Sequence, residues 1–141
     1  MARSDTLRSE IARLRTKAGT LTTELSRHRD AATKASTTAR KKREEAARTS
    51  SDSTRRMALQ AAEREETKAA QALKKAGDVE KRNGGNATEI GLKESSLTTA
   101  LKDEQRARDR EEERRQQQEK TRERDRDRAD QRRRQQEEPC P

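Results

Sequence analysis

His28 is the only histidine of this chain and Cys140 its only cysteine. A general base, a metal ligand or an activated nucleophile needs a second functional group held beside it. His28 falls where a run of aliphatic residues would continue after Leu21 and Leu25, so it reads as a residue on or beside a packing seam. The many Ser and Thr residues have no histidine to activate them. Cys140 has no partner for an internal disulfide and is followed by a single residue, which excludes a prenylation box. It reads as an exposed thiol. Gly84-Gly85 lacks the strand and the Gly-Lys-Ser/Thr of a phosphate loop. Glu65-Glu66 are neighbours expected to be solvated on a helix. No catalytic residue, metal ligand, cofactor or small-molecule substrate is expected.

The elements available to position any site are limited. The 141 residues include no Phe, Tyr or Trp; 45% are charged and 25% apolar. Burying a large aliphatic side chain returns about 1.5–3 kcal/mol, whereas ordering the backbone costs roughly 1–2 kcal/mol per residue. A globular core with an enclosed pocket is therefore excluded. A helix remains affordable because its hydrogen bonds are local and it needs only a narrow apolar stripe. Ala, Arg, Glu, Gln, Lys and Leu are good helix formers, and the two prolines, Pro139 and Pro141, stand at the end. The fold class expected is all-α. No apolar run approaches the ~18–20 residues of a membrane span, and the first residues lack the apolar stretch of a secretory signal. A cytoplasmic location is expected.

Leu7, Ile11, Leu14, Ala18, Leu21 and Leu25 are spaced 4, 3, 4, 3, 4, a heptad seam. From Ala31 to Ala47 the stripe turns to alanine. The small polar run Thr49-Ser50-Ser51-Asp52-Ser53-Thr54 is a weak helix former, with Asp52 or Ser53 placed to cap a following helix. Beyond it the pattern reverses, alanine first, then Leu73, Val79, Ile90, Leu97 and Leu101. Folding the chain near position 52 sets Leu7 against Leu97, Leu14 against Ile90, Leu25 against Val79, and Ala35 against Ala69. Large side chains then face large ones, as an antiparallel helical hairpin of coiled-coil type requires. Gly19 falls opposite Gly85, where a close approach is expected. Asn83-Gly84-Gly85-Asn86 competes as a breaker, because each glycine costs about 1 kcal/mol in a helix interior. It is expected to be a kink, with a turn there as the alternative. Ala35, Ala46, Met57, Val79, Ile90 and Leu101 also lie on an 11-residue grid, which favours straighter packing than a heptad.

The expected organisation is a first helical arm (1–50), a turn (51–54), a second arm (55–101) kinked at 83–86, a charged solvated helix (102–125) and a fraying or disordered tail (126–141). In the third segment Glu104–Arg108, Glu111–Arg115 and Asp130–Arg134 are favourable i,i+4 pairs. The alternation Arg122-Glu123-Arg124-Asp125-Arg126-Asp127-Arg128 sets like charges four apart and weakens the helix.

Residues Ala61-Ala62-Glu63-Arg64-Glu65-Glu66, Leu97 to Lys102 and Arg106-Ala107-Arg108-Asp109-Arg110 resemble coiled-coil arms that precede signalling or effector domains in large bacterial proteins of high-GC organisms. The resemblance is one of composition and covers residues 7–120. It implies a spacer or assembly element. No globular segment follows residue 138, so it also implies a shortened or stand-alone version.

The formal net charge is +9. Residues 1–48 hold 13 Lys/Arg against 6 Asp/Glu, whereas the rest is nearly balanced. The expected function is a non-enzymatic coiled-coil spacer, scaffold or self-association element. Its seam would consist of Leu7, Ile11, Leu14, Leu21, Leu25, Leu73, Val79, Ile90, Leu97 and Leu101. Its partner would be itself or another coiled-coil protein. The alternative is non-specific binding of nucleic acid or an anionic surface through Arg40, Lys41, Lys42 and Arg43.

Overall fold

The structure, a computed structural model, describes residues 2–138. Cys140 lies outside them, as do both prolines. The described residues contain helices and no strand, in agreement with the all-α expectation. Helix α1 is Arg3–Arg48, 46 residues, and α2 is Asp52–Glu137, 86 residues. The contacts divide the chain into two units, one ending at Ser96 and the other starting at Leu97.

In the first unit both helices show one burial rhythm. On α1, Ser4, Leu7, Ile11, Leu21, Ala32, Ala35, Ala39 and Ala46 are buried, and Leu14, Ala18, Leu25, His28 and Lys42 are half-buried. Together these positions step 3, 4, 3, 4 without a break. On α2, Ala58, Ala62, Ala69, Ala76, Val79 and Asn86 are buried, and Glu65, Ala72, Asn83, Ile90 and Lys93 fill the same rhythm half-buried. A 3.5-residue period is that of a heptad. Of the 11-residue grid, Ala35, Ala46 and Val79 are buried and Ile90 is half-buried, but Met57 is 69% exposed and Leu101 37%. Leu73 also departs from the expected seam: it is 58% exposed. Ala69, Ala72 and Ala76 hold the inward positions around it, and Leu73 sits one step to their flank.

The break between the helices is three residues, Thr49–Ser51. Thr49 has extended backbone (φ −80°, ψ 143°), and its N–H donates to Glu45 O at 3.2 Å. The cap of α2 is Ser51, not Asp52 or Ser53. Its Oγ accepts from Thr54 N–H (3.3 Å), and its carbonyl accepts from Arg55 N–H (2.9 Å). Asp52 is already helical: the break at 49–51 is one residue shorter than the expected turn at 51–54 and lies nearer to α1. Arg55 then reaches back, donating through Nη2 to Thr49 O (3.0 Å) and through Nε to Ala46 O (3.4 Å). These bonds satisfy carbonyls that a helix end leaves open.

Helix α2 continues through Asn83-Gly84-Gly85-Asn86. Gly19 and Gly85 are not a close approach: a Cβ at either would meet nothing within 4 Å. Both are exposed and stand off the seam. The threonines of α1 fit a helix because their hydroxyls donate to the carbonyl four residues back, as in Thr16 to Ala12 (3.1 Å), Thr22 to Ala18 (2.9 Å) and Thr37 to Thr33 (2.9 Å).

In the second unit Ala100 is buried, Leu97 and Glu104 are half-buried, and Leu101 is 37% exposed. Every residue from Gln105 to Glu138 is exposed. The helix there rests on backbone bonds and local pairs: Gln105 donates to Asp109 (2.9 Å), and Arg115 meets Glu111 at 3.5 Å. Helix α2 runs through the alternating-charge stretch 122–128 and on to Glu137, over residues expected to fray.

Candidate functional site

The side-chain chemistry of the first unit lies along the two flanks of the seam. On one flank Arg15 pairs with Glu94 (2.8 Å), Arg29 with Glu80, and Arg43 with Glu66. The three arginines are 14 residues apart, and so are the three glutamates. Numbers rise along one helix as they fall along the other. The steps between the glutamates on α2 hold Leu73 and Ala87, seven residues from each neighbour. On the opposite flank Arg82 pairs with Glu24 (3.2 Å) and Lys93 with Glu10 (2.9 Å).

Arg43 and Glu66 form a two-pronged contact, Nε to Oε1 at 2.8 Å and Nη2 to Oε2 at 2.9 Å. This is the geometry in which guanidinium matches carboxylate best. The hydrogen bonds from Arg43 hold the Glu66 carboxyl below its ordinary value, against a smaller opposing effect of desolvation. The same bonds hold the Arg43 guanidinium above its own ordinary value. Glu66 is exposed, as expected, but it is paired with Arg43. Glu65 is itself half-buried and meets Lys68 at 3.2 Å.

Of the four basic residues Arg40, Lys41, Lys42 and Arg43, only the first two make no ion pair among the described residues. Arg43 is held by Glu66, and Lys42 occupies a half-buried seam position 3.3 Å from Glu45. The expected basic cluster is therefore split among three directions around α1.

His28 and Asn86 are among the polar residues that sit within the seam. His28 lies 3.7 Å from Glu24, whose carboxylate is shared with Arg82. Asn86 is 4% exposed; its Nδ2 donates to Leu14 O at 2.9 Å, and its Oδ1 is buried without a partner. Asn86, in the stretch expected to kink or turn, stands within α2, and its side chain crosses to α1. The 14-residue spacing of Arg15, Arg29 and Arg43, matched by Glu66, Glu80 and Glu94, was present in the sequence as a signal and is found only by comparing charge spacing between segments.

A groove beside the seam is lined by Glu10, Arg13, Leu14, Lys17, Glu89 and Lys93. It is charged in both signs and spanned by the Glu10–Lys93 pair. Among the described residues no group of three or more His, Cys, Asp or Glu is placed to hold a metal ion, and no helix is long and apolar enough to cross a membrane. Comparison with protein-family models, with curated proteins and with solved structures finds no match.

Proposed function

We propose that this chain is a non-enzymatic coiled-coil element, acting as a spacer, scaffold or self-association module, in which α1 and the first part of α2 pair as an antiparallel helical hairpin. The observation that carries the reading is the unbroken 3, 4 burial rhythm on both helices, flanked by ion pairs whose numbers run in opposite directions. Heptad seams with complementary flanking charges are the means by which helices choose partner and register. The arm would reach about 69 Å at 1.5 Å per residue. The likeness to spacer arms of large bacterial proteins supports the same role, with a cytoplasmic location and another coiled coil, or a second copy, as partner.

Sedimentation equilibrium over a hundredfold range of concentration, with circular dichroism at each point, tests the proposal. A strongly helical monomer is expected. Helicity that rises with concentration would mean that the arms pair between chains and would overturn the hairpin. A coil-like spectrum would overturn the coiled coil altogether. A cysteine pair at positions 15 and 94, in a chain with Cys140→Ser, should oxidise within one molecule.

A further inference from the structure

We propose that the outer face of α1 is a sequence-independent binding strip for the phosphate backbone of duplex nucleic acid. The inference goes beyond the scaffold reading and does not depend on it. Arg13, Arg27, Lys34, Lys41 and Arg48 are all exposed and stand at multiples of seven residues, so they form one row. The row runs about 52 Å at 1.5 Å per residue. None of the five makes an ion pair among the described residues. Arg40, also exposed and unpaired, lies beside Lys41.

The acids that border this row are largely committed elsewhere. Glu10 is held by Lys93, Glu24 by Arg82, and Glu45 by Lys42. Only Asp30 and Glu44 are left on that face without an ion pair among the described residues. The flanking ion pairs therefore have a second effect: they draw negative charge toward the seam and leave α1 positive on its outside. Between the basic residues lie Thr16, Thr20, Thr23, Thr33 and Thr37, whose hydroxyls are turned back to the helix carbonyls. They keep the surface low, so a phosphate backbone meets no bulky side chain.

The chemistry favours a duplex over other polyanions. Single-strand binding relies on aromatic stacking platforms, and the chain has no aromatic residue. A helix lying in a lipid surface inserts large apolar side chains, whereas among the described residues of the first unit every exposed large apolar residue, Met57, Leu59, Leu73 and Leu92, is on α2. A row of point charges reads no base edges, so binding should be indifferent to sequence.

The test uses the full chain and a labelled 30-base-pair DNA duplex, read by fluorescence anisotropy between 50 and 200 mM salt. The logarithm of affinity should fall with that of salt with a slope of about −3 to −5. The variant R13Q/R27Q/K34Q/K41Q/R48Q should bind about 100-fold or more weakly at 100 mM salt. A control that removes the same charge from the far part of α2, R114Q/K120Q/R122Q/R126Q/R132Q, should stay within about threefold of the parent. Circular dichroism confirms that both remain helical; should the first variant unfold, the salt slope of the parent decides alone. Absence of binding at 50 mM salt, a slope shallower than about −2, or equal losses in both variants would overturn the proposal. Capture by phosphatidylserine-containing vesicles without binding to the duplex would overturn it in favour of a lipid surface.

Discussion

Arg43 on α1 clasps both carboxylate oxygens of Glu66 on α2, at 2.8 and 2.9 Å. The relationship recurs two heptads away as Arg29–Glu80 and two more away as Arg15–Glu94. Its repeat length has a physical meaning. Displacing one helix by seven residues would keep small and large side chains inward but set Arg29 against Leu73 or Ala87. Only a displacement of fourteen would restore charge to charge. On the proposed pairing the ladder thus disfavours the nearest alternative register, modestly per pair because the side chains are exposed.

Because Glu66 has a folded-state pKa below its unfolded one, the pair's contribution is complete above the ordinary carboxylate value of about 4.3. It is lost as pH falls through the lower folded value. Glu66→Gln should lower the melting midpoint at pH 7 by less than about 5 °C, since the pair is exposed. The difference from the parent should vanish on acidification. Thermal melts from pH 7 down to about pH 2 check this; a difference that persisted at the acid end would contradict it.

Asn86 presents the opposite case, a polar group inside the seam with one bond made and one oxygen unmet. Asn86→Leu should stabilise the protein, on the order of 1–3 kcal/mol in chemical denaturation, by removing that unmet group. It should also loosen specificity, because a single buried polar residue fixes register in coiled coils. Mixed disulfide trapping between positions 15 and 94 and between 15 and 87 would report any second register as a new crosslink.

Val79 is 1% exposed and Leu73 is 58% exposed. Val79→Ala should cost about 1–2 kcal/mol, and Leu73→Ala should stay within about 0.5 kcal/mol. Urea unfolding of the two variants side by side measures the contrast. Equal costs would show that Leu73 is covered in solution.

Ser51→Ala removes the cap of α2 and should cost about 1 kcal/mol. Ser53→Ala, two residues on and inside the helix, should be neutral or slightly stabilising, as alanine is the better helix former. Reversal of that order in thermal melts would place the start of α2 later in the chain.

Much of this was readable from residue types alone. The helical character follows from the absence of interior proline and the wealth of Ala, Glu, Arg and Lys. The break follows from six consecutive small polar residues, and the shift from aliphatic to alanine and back is written in the order of the chain. What escaped the reading has one cause. Burial at a heptad position is imposed by helix geometry on whatever residue stands there, so Lys42, Glu65, Asn83 and Lys93 lie half-covered although none is apolar. Long charged side chains tolerate this because their stems lie along apolar surface while the heads stay wet. Conversely Leu73, apolar by type, points outward because alanines occupy the inward positions around it. The basic row was obscured in the same way: Arg13, Arg27, Lys34, Lys41 and Arg48 are not adjacent in sequence, and only the helix aligns them.

The alanine stretch next to the three-residue connection has one more consequence on the proposed pairing. Where Ala32, Ala35, Ala39 and Ala46 are buried, the apolar area per step is small, yet the covalent link keeps the two helices close and their local concentration high. Where Leu7, Ile11, Leu14 and Leu21 stand, that tether is 28 to 42 residues away and side-chain grip must replace it. Side-chain grip therefore rises with distance from the connection: weak where separation is already prevented, strong where the ends would otherwise drift apart. Breathing should start in the alanine-lined middle distance, short of the leucine clamp, and amide protons there should exchange sooner than those around Ile11.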